Sequence, residues 1–323
     1  MSYQFVALGE TMLALAPPRG TSIRTAASLL VDHAGAESNT AVGLARLGLR
    51  TAWISCLGND AAGARILDAL SKETVDTQWV RRDPLRPTGM MLKDPEAGVR
   101  YYRTGSAASA MGPEILDGVP VADADAVLVT GVTALIGTGP HAAGLALLSA
   151  ARGLRIVDPN LRRGLWGSDR SRELVVPFVE RCDLLLCGDA ELAEILGEDV
   201  SGAAAQGATP EVLARRALAL GPREVVVRGA RSIGVLAGGS WSSLEIHRDA
   251  AVDAIGAGDA FNAGYIAVRI GGGTIDTALR AGARCGAAVT TSVSDTAGFP
   301  RLDRPTGPNE PPHRSSGDRE NPS

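Results

Sequence analysis

The sequence predicts an α/β fold: a doubly wound, mostly parallel sheet with helices on both faces and a small β lid. Three observations predict it. Short apolar runs alternate with amphipathic helical patterns along most of the chain, the rhythm of βαβ units. Two stretches, 14–31 and 88–103, break that rhythm with short alternating runs, Pro and Gly but no helical period, which suits a small antiparallel flap outside the main sheet. Glycine makes up 39 of 323 residues without a collagen period, so the excess belongs to turns and close backbone approaches.

Each element has a local reason. Residues 4–8 are apolar and stop at Gly9, a strand and its turn. Residues 38–47 read as a helix: Ser38 or Asn39 caps it, Ala41, Leu44, Ala45 and Leu47 form its apolar face, and Gly48 ends it. A strand over 51–57 and an amphipathic helix over 60–72 follow. Further strands are expected at 126–130, 154–157, 184–186 and 224–227, with helices over 140–151, 170–180, 190–196 and 210–220. A Gly-rich turn then leads into an apolar helix over 260–270. Residues 1–301 form one domain, with lid segments at about 12–31 and 88–103. Residues 302–323 contain no Phe, Tyr, Trp, Val or Ile and cannot bury enough apolar area to offset ordering entropy, so a disordered tail is expected.

Composition excludes several functions. Thirty-two basic and 36 acidic residues give a net charge of −4, leaving no basic surplus for nucleic acid. Lys occurs only at Lys72 and Lys93, neither after a Gly, so no Walker A phosphate loop exists. The cysteines (Cys56, Cys182, Cys187, Cys285) have no Cys-x-x-Cys spacing and the four histidines are scattered. A zinc site is not expected, and the thiols suit a reducing compartment. No apolar run approaches ~18 residues and the N-terminus has no basic leader, so a cytoplasmic protein without a membrane partner is expected.

The densest chemistry is Asp253-Ala254-Ile255-Gly256-Ala257-Gly258-Asp259-Ala260-Phe261-Asn262-Ala263-Gly264. Successive backbone N–H groups of such a turn converge on one concavity, and the helix behind it adds partial positive charge, an anion hole built without Lys. Asp259 in the first helical turn could accept a proton from a hydroxyl beside a phosphoryl group, or simply cap the helix. Upstream lies Gly35-Ala36-Glu37-Ser38-Asn39-Thr40-Ala41-Val42-Gly43-Leu44-Ala45-Arg46-Leu47-Gly48. These two motifs, in this order and spacing, resemble the two signatures of the ribokinase-like (PfkB) carbohydrate kinases, a likeness covering about residues 3–300.

That resemblance implies ATP and Mg²⁺, with room for a monovalent cation, and pairing into a homodimer or higher homo-oligomer. It implies that Gly256, Ala257 and Gly258 stabilise the transferring phosphoryl and that Asp259 is the base. Gly35 and Asn39 would contact the sugar. Gly229, Ala230 and Arg231, with Gly256, Gly258, Ala283 and Gly286, would hold the nucleotide, and Glu191 would help position the metal.

Three further segments narrow the substrate. On an extended strand Tyr101 and Arg103 share a face. Asp158-Pro159-Asn160-Leu161-Arg162 follows a strand, at the carboxyl edge where α/β sheets bind ligands. Thr88-Gly89 adds a turn at the lid. Together they resemble the 2-keto-3-deoxygluconate kinase branch, in which Arg103 and Arg162 would contact an acid sugar. This implies ATP-dependent phosphorylation of 2-dehydro-3-deoxygluconate at its terminal hydroxyl, giving the 6-phosphate. Residues 12–16 carry no Asp, against the ribose- and adenosine-type branches. A fructokinase- or other hexose-specific kinase and a degenerate sugar-binding member remain open. The family's usual Thr, two Asn and a lid Tyr are replaced by Ala254, Gly188, Ala283 and Met91. A dehydrogenase reading rests only on Gly137-Thr138-Gly139-Pro140, which does not open directly from a strand.

Overall fold

The computed structural model describes residues 2–162, 165, 169–197, 209–246, 256–289 and 296–301. Its strands are β1 (Phe5–Leu8), β2 (Met12–Ala16), β3 (Leu30–Ala34), β4 (Thr51–Gly58), β5 (Val80–Asp83), β6 (Met90–Asp94), β7 (Gly98–Tyr102), β8 (Ala126–Thr130), β9 (Leu154–Asp158), β10 (Leu184–Gly188), β11 (Glu224–Arg228), β12 (Ser232–Ala237) and β13 (Ser240–Glu245). Its helices are α1 (Ala36–Arg46), α2 (Ala61–Lys72), α3 (Gly131–Leu135), α4 (Thr138–Ala150), α5 (Asp169–Val179), α6 (Asp189–Leu196), α7 (Pro210–Leu218), α8 (Ala257–Ile270) and α9 (Ile275–Val289).

The large sheet runs β13-β12-β11-β10-β9-β8-β1-β4-β5. From β5 to β11 every pairing is parallel, and the two pairings beyond it, β11–β12 and β12–β13, are antiparallel. The strand side chains alternate between two cores, as pleating requires. Val6, Leu8, Val127, Val129, Leu185 and Val225 meet α4, α5, α6 and α7 on one face. Phe5, Ala7, Leu128, Leu184, Leu186 and Val226 meet α1, α2, α8 and α9 on the other. The strands are apolar on both faces because both are covered, which is the parallel-sheet signature read from the sequence.

The second sheet runs β3-β2-β6-β7 and packs Met12, Ala14, Ala34 and Met91 into its own small core with Val99 and Tyr101. The expectation of an antiparallel flap needs correction, because β2 pairs β6 in parallel. Two segments far apart in sequence enter this sheet side by side, so their common direction reflects chain connectivity and not a hairpin. One anchor joins this sheet's approach to the large one: Asp60 accepts from the Thr88 N–H and hydroxyl and from the Gly63 N–H, each at 2.8 Å.

Two helix starts also differ from expectation. Helix α1 begins at Ala36 with Gly35 as its cap, which places Ser38 and Asn39 inside the helix and buried. Helix α8 begins at Ala257, three residues before the expected start, so Ala257, Gly258 and Asp259 form its first turn. The expected disordered tail, 302–323, lies outside the described residues, as do Asp253, Ala254 and Ile255. Among the described residues no helix is long and apolar enough to cross a membrane.

Candidate active site

The carboxyl ends of β1, β8, β9, β10 and β11 converge with the N-termini of α1, α6 and α8. Helices α1 and α8 touch because Gly43 leaves no side chain in the way: a Cβ there would stand 2.5 Å from that of Ala263. One turn earlier on each helix, that close approach brings Asn39 to Asp259. The Asn39 Nδ2 donates to Asp259 Oδ2 at 2.9 Å, and both residues are buried. The Asn39 Oδ1 is buried without a hydrogen-bond partner, an acceptor poised for a donor such as a hydroxyl.

Gly256 caps α8 at φ 83°, a left-handed conformation suited to Gly, and no side chain caps the helix. Gly256 has no side chain to bond the first-turn N–H groups, which lie at the positive end of a 14-residue helix. Gly286 on α9 closes the far side, where a Cβ would lie 3.1 Å from the Ala257 carbonyl.

A charged cluster underlies this turn. Arg228, at the end of β11, donates through Nη1 to the Asn262 Oδ1 at 2.6 Å and to the Gly258 carbonyl at 3.3 Å. Its Nη2 donates to Asp158 Oδ2 at 3.1 Å and lies 3.9 Å from Glu191 Oε2. Asp158 also accepts from Asn262 at 2.7 Å and from the Asn160 N–H at 2.9 Å, with Asn160 at φ 44° in the tight Asp-Pro-Asn turn. Glu191 accepts the Gly188 N–H at 2.6 Å and the Leu161 N–H at 2.8 Å, tying α6 to both loops. Burial raises the Glu191 carboxyl above its ordinary range, Asp158 adds to the rise, and Arg228 opposes it.

The second sheet faces the large one through a different cluster. Arg103 lies 4.9 Å over the Tyr101 ring, as their shared face predicted. Its guanidinium is not open to a ligand on all sides, however. Nε sits 3.2 Å from Glu10 Oε2, and Nη2 lies 3.1 Å from the Met12 sulfur. Ser106 donates to the other Glu10 oxygen at 2.7 Å. Burial raises the Glu10 carboxyl, while the Arg103 charge pulls it down. Arg103 Nη1 is buried and has no hydrogen-bond partner. Gly35 shapes the floor between the two clusters, since a Cβ there would come within 2.5 Å of the Glu10 carbonyl and 2.7 Å of the Thr11 hydroxyl.

The other expected site residues lie further out. Arg162 is exposed beside residues outside the described set. Gly229, Ala230 and Arg231 form the β11–β12 turn, where a Gly229 Cβ would lie 3.4 Å from Asp189. Ala283 and Gly286 are half-buried on α9, which packs beside β12 and β13. Sequence reasoning did not single out Arg228, Asn262, Glu10 or Glu37. Glu37 is fully buried and accepts from the Thr130 N–H and the Thr130 and Thr133 hydroxyls at 3.2, 2.7 and 2.8 Å. Gly9 leaves room for it, as a Cβ there would overlap its carboxyl group. A charged residue inside an apolar helical face was the available signal for Glu37. For Arg228 it was a charge ending an otherwise apolar strand.

The chain is thus an α/β protein with a doubly wound sheet, a small second sheet, and a glycine-capped helix whose first turn carries the Asp of a buried Asn–Asp pair. The family model for pfkB family carbohydrate kinases matches residues 4–302, and the chain belongs to that family of enzymes. It is 31% identical to a 2-dehydro-3-deoxygalactonokinase from Haloferax volcanii, over 92% of this chain and 94% of that one. It is 31% identical to a 2-dehydro-3-deoxygluconokinase from Bacillus subtilis, over 94% of each chain. A fructokinase from Klebsiella pneumoniae is 29% identical over 85% of this chain and 91% of its own. The solved structure of a PfkB protein from Polaromonas sp. superposes with a TM-score of 0.80 at 30% identity, covering 92% of this chain and 98% of that one.

Proposed function

We propose that this carbohydrate kinase transfers the γ-phosphoryl of ATP to the terminal hydroxyl of a 2-keto-3-deoxy sugar acid, 2-dehydro-3-deoxygluconate, giving its 6-phosphate. The observation that carries the reading is Asp259, buried in the glycine-capped first turn of α8 and held by Asn39 at 2.9 Å. In this reading Asp259 accepts the hydroxyl proton as that oxygen attacks the γ-phosphorus and the bond to the β-phosphate oxygen breaks, releasing ADP. The N–H groups over 256–258 take up the charge on the transferring group. Asn39 and Gly35 border the sugar. Tyr101 and Arg103 close over it, with Arg162 reaching its carboxylate as a second guanidinium. Gly229–Arg231 and the Ala283–Gly286 stretch of α9 form the two sides of the nucleotide site.

Asp158 and Glu191 fit Mg²⁺ in kind: both are hard oxygen donors, one ending β9 and one in the first turn of α6, and each retains a lone pair beyond its present bonds. They would hold the ion largely through water, and the ion when bound would neutralise phosphate charge. The described residues include no cluster of three or more His, Cys, Asp or Glu that could hold a metal ion.

One observation favours a second reading. Glu10 already neutralises Arg103, so a neutral ketohexose would meet no uncompensated charge there. A coupled ADP-release screen over acid sugars and neutral hexoses decides between them. The acid sugar is expected to give the highest kcat/KM, and a neutral hexose in first place would remove the roles given to Arg103 and Arg162. Asp259→Asn is expected to keep the fold and lose ~10²–10⁴ in kcat.

A further inference from the structure

We propose that Arg228 is a positioning residue of the transfer site, holding the first turn of α8 in place and cancelling the charge of Asp158 and Glu191 beneath it. The inference rests on the kinase reading of the same site and goes beyond it in assigning work to a residue at the end of β11.

The guanidinium spans three elements at once. Nη1 reaches the Asn262 side chain and the Gly258 carbonyl on α8, and Nη2 reaches Asp158 after β9. Gly258 packs directly on it: a Cβ there would lie 3.4 Å from Nη1. A planar fork can satisfy these partners together, whereas an ammonium cannot.

Its place on the helix is the informative feature. A cation is favoured near the C-terminal end of a helix and disfavoured near the N-terminal end. Helix α8 shows both cases. In its last turn Arg269 pairs with Glu224 at 2.8 Å, in the favoured direction. Arg228 stands at the opposite end, where the helix is already positive, and it needs Asp158 and Glu191 to be held there. Stability alone does not select that placement, but an approaching polyphosphate does.

The charge balance agrees. Two carboxylates, Asp158 and Glu191, meet Arg228 beneath the turn where a phosphoryl group would arrive, and a third, Asp259, lies in the turn itself. Both lysines of the chain lie elsewhere, one at the end of α2 and one in β6. Arg228 is the guanidinium whose hydrogen bonds reach this turn among the described residues, and it stays protonated at any working pH. With it in place, the dipole and N–H groups of α8 meet the nucleotide without a bare carboxylate pair behind them.

The test compares Arg228→Gln, Arg228→Lys and the opposite-end control Arg269→Gln in the full chain. Steady-state kinetics, calorimetric ATP binding in the presence of Mg²⁺, and thermal melts are measured for each. Arg228→Gln is expected to lower kcat/KM for ATP by about 10²-fold, the cost of misplacing a reacting group by ~1 Å, with the sugar KM within about twofold of wild type. Arg228→Lys should recover part of that loss, as it keeps the charge and loses the fork. Arg269→Gln should lower the melting temperature while leaving both kinetic constants within about twofold. An Arg228→Gln enzyme that melts early but keeps wild-type constants overturns the proposal and leaves the kinase reading standing. So does a loss confined to apparent kcat that tracks the folded fraction with both KM values unchanged, since that pattern reports structure alone. A wild-type chain that neither binds ATP nor turns over any sugar overturns both.

Discussion

Asn39→Asp tests the assignment of Asp259 most directly. The substitution barely changes volume, so the α1–α8 packing around Gly43 and Ala263 is preserved. It converts a donor 2.9 Å from Asp259 into a second buried carboxylate. Two unit charges ~4 Å apart at an effective dielectric of ~20 repel by ~4 kcal/mol. At ~1.36 kcal/mol per pH unit this delays the second ionisation by ~3 pH units. Rotation of the new carboxylate away from its neighbour lowers the figure, so ~3 units is the upper value. A base works only when ionised, so activity is lost from the acid side. The acid limb of kcat/KM should therefore move up by as much as ~3 pH units, with activity recovering at higher pH. ADP release followed from about pH 5 to pH 10 reads the shift, and thermal melts establish folding. Asn39→Ala, which removes the hydrogen bond without adding charge, should move the limb much less. A folded, active Asn39→Asp enzyme with an unmoved acid limb would mean that Asp259 is not the base.

Three further outcomes follow from particular contacts. Gly256→Ala should destabilise by ~1–2 kcal/mol, because φ 83° is left-handed, whereas Gly258→Ala should melt like wild type, its Cβ meeting only an ordinary 3.4 Å contact. A large loss of activity in Gly258→Ala despite that normal melt is expected if the phosphoryl group approaches this backbone, and full activity would argue that it does not. Burial raises Glu37 above its ordinary value of 4.5, against the pull of its Thr130 and Thr133 hydrogen bonds. The folded state thus binds this proton more tightly than the unfolded one, so the contribution of Glu37 to stability is fully present below about pH 4.5 and is lost as pH rises through the folded value. Melting curves of Glu37→Gln should lose that decline, and an unchanged pH slope would show that the carboxyl does not titrate in this way. Asp60→Ala removes the cap of α2 and both Thr88 anchors at once. It should cost ~0.5–2 kcal/mol in stability and raise the sugar KM, while an unaltered KM would separate this anchor from substrate binding.

The doubly wound architecture was legible because it rests on local periodicity. Strands such as Ala126–Thr130 are apolar on both faces, and Gly48 stops a helix, wherever the rest of the chain lies. The edge strands were harder. Ser240–Glu245 has an exposed, polar pattern that reads as loop, and it becomes a strand only because β12 is there to pair with it. The three-residue error at the start of α8 has a similar origin: Gly at the first turn is a poor helix former, and α9 packed against Ala257 through Gly286 supports it from outside.

The candidate site divides along the same line. Asp259 and the glycines before it form one contiguous motif whose chemistry depends on a local turn and a helix end, so sequence alone determined them. The pairing of Asn39 with Asp259 spans 220 positions, that of Ser106 with Glu10 spans 96, and the contact of Arg228 with Asp158 spans 70. No periodicity records such contacts. They arise because β1, β9 and β11 end at the same edge of one sheet and because Gly43 lets two helices touch. An Arg at a strand end reads as one surface charge among many in the sequence. Only tertiary structure could show that Arg228 stands at the positive end of a helix, between two carboxylates and the backbone of the glycine turn.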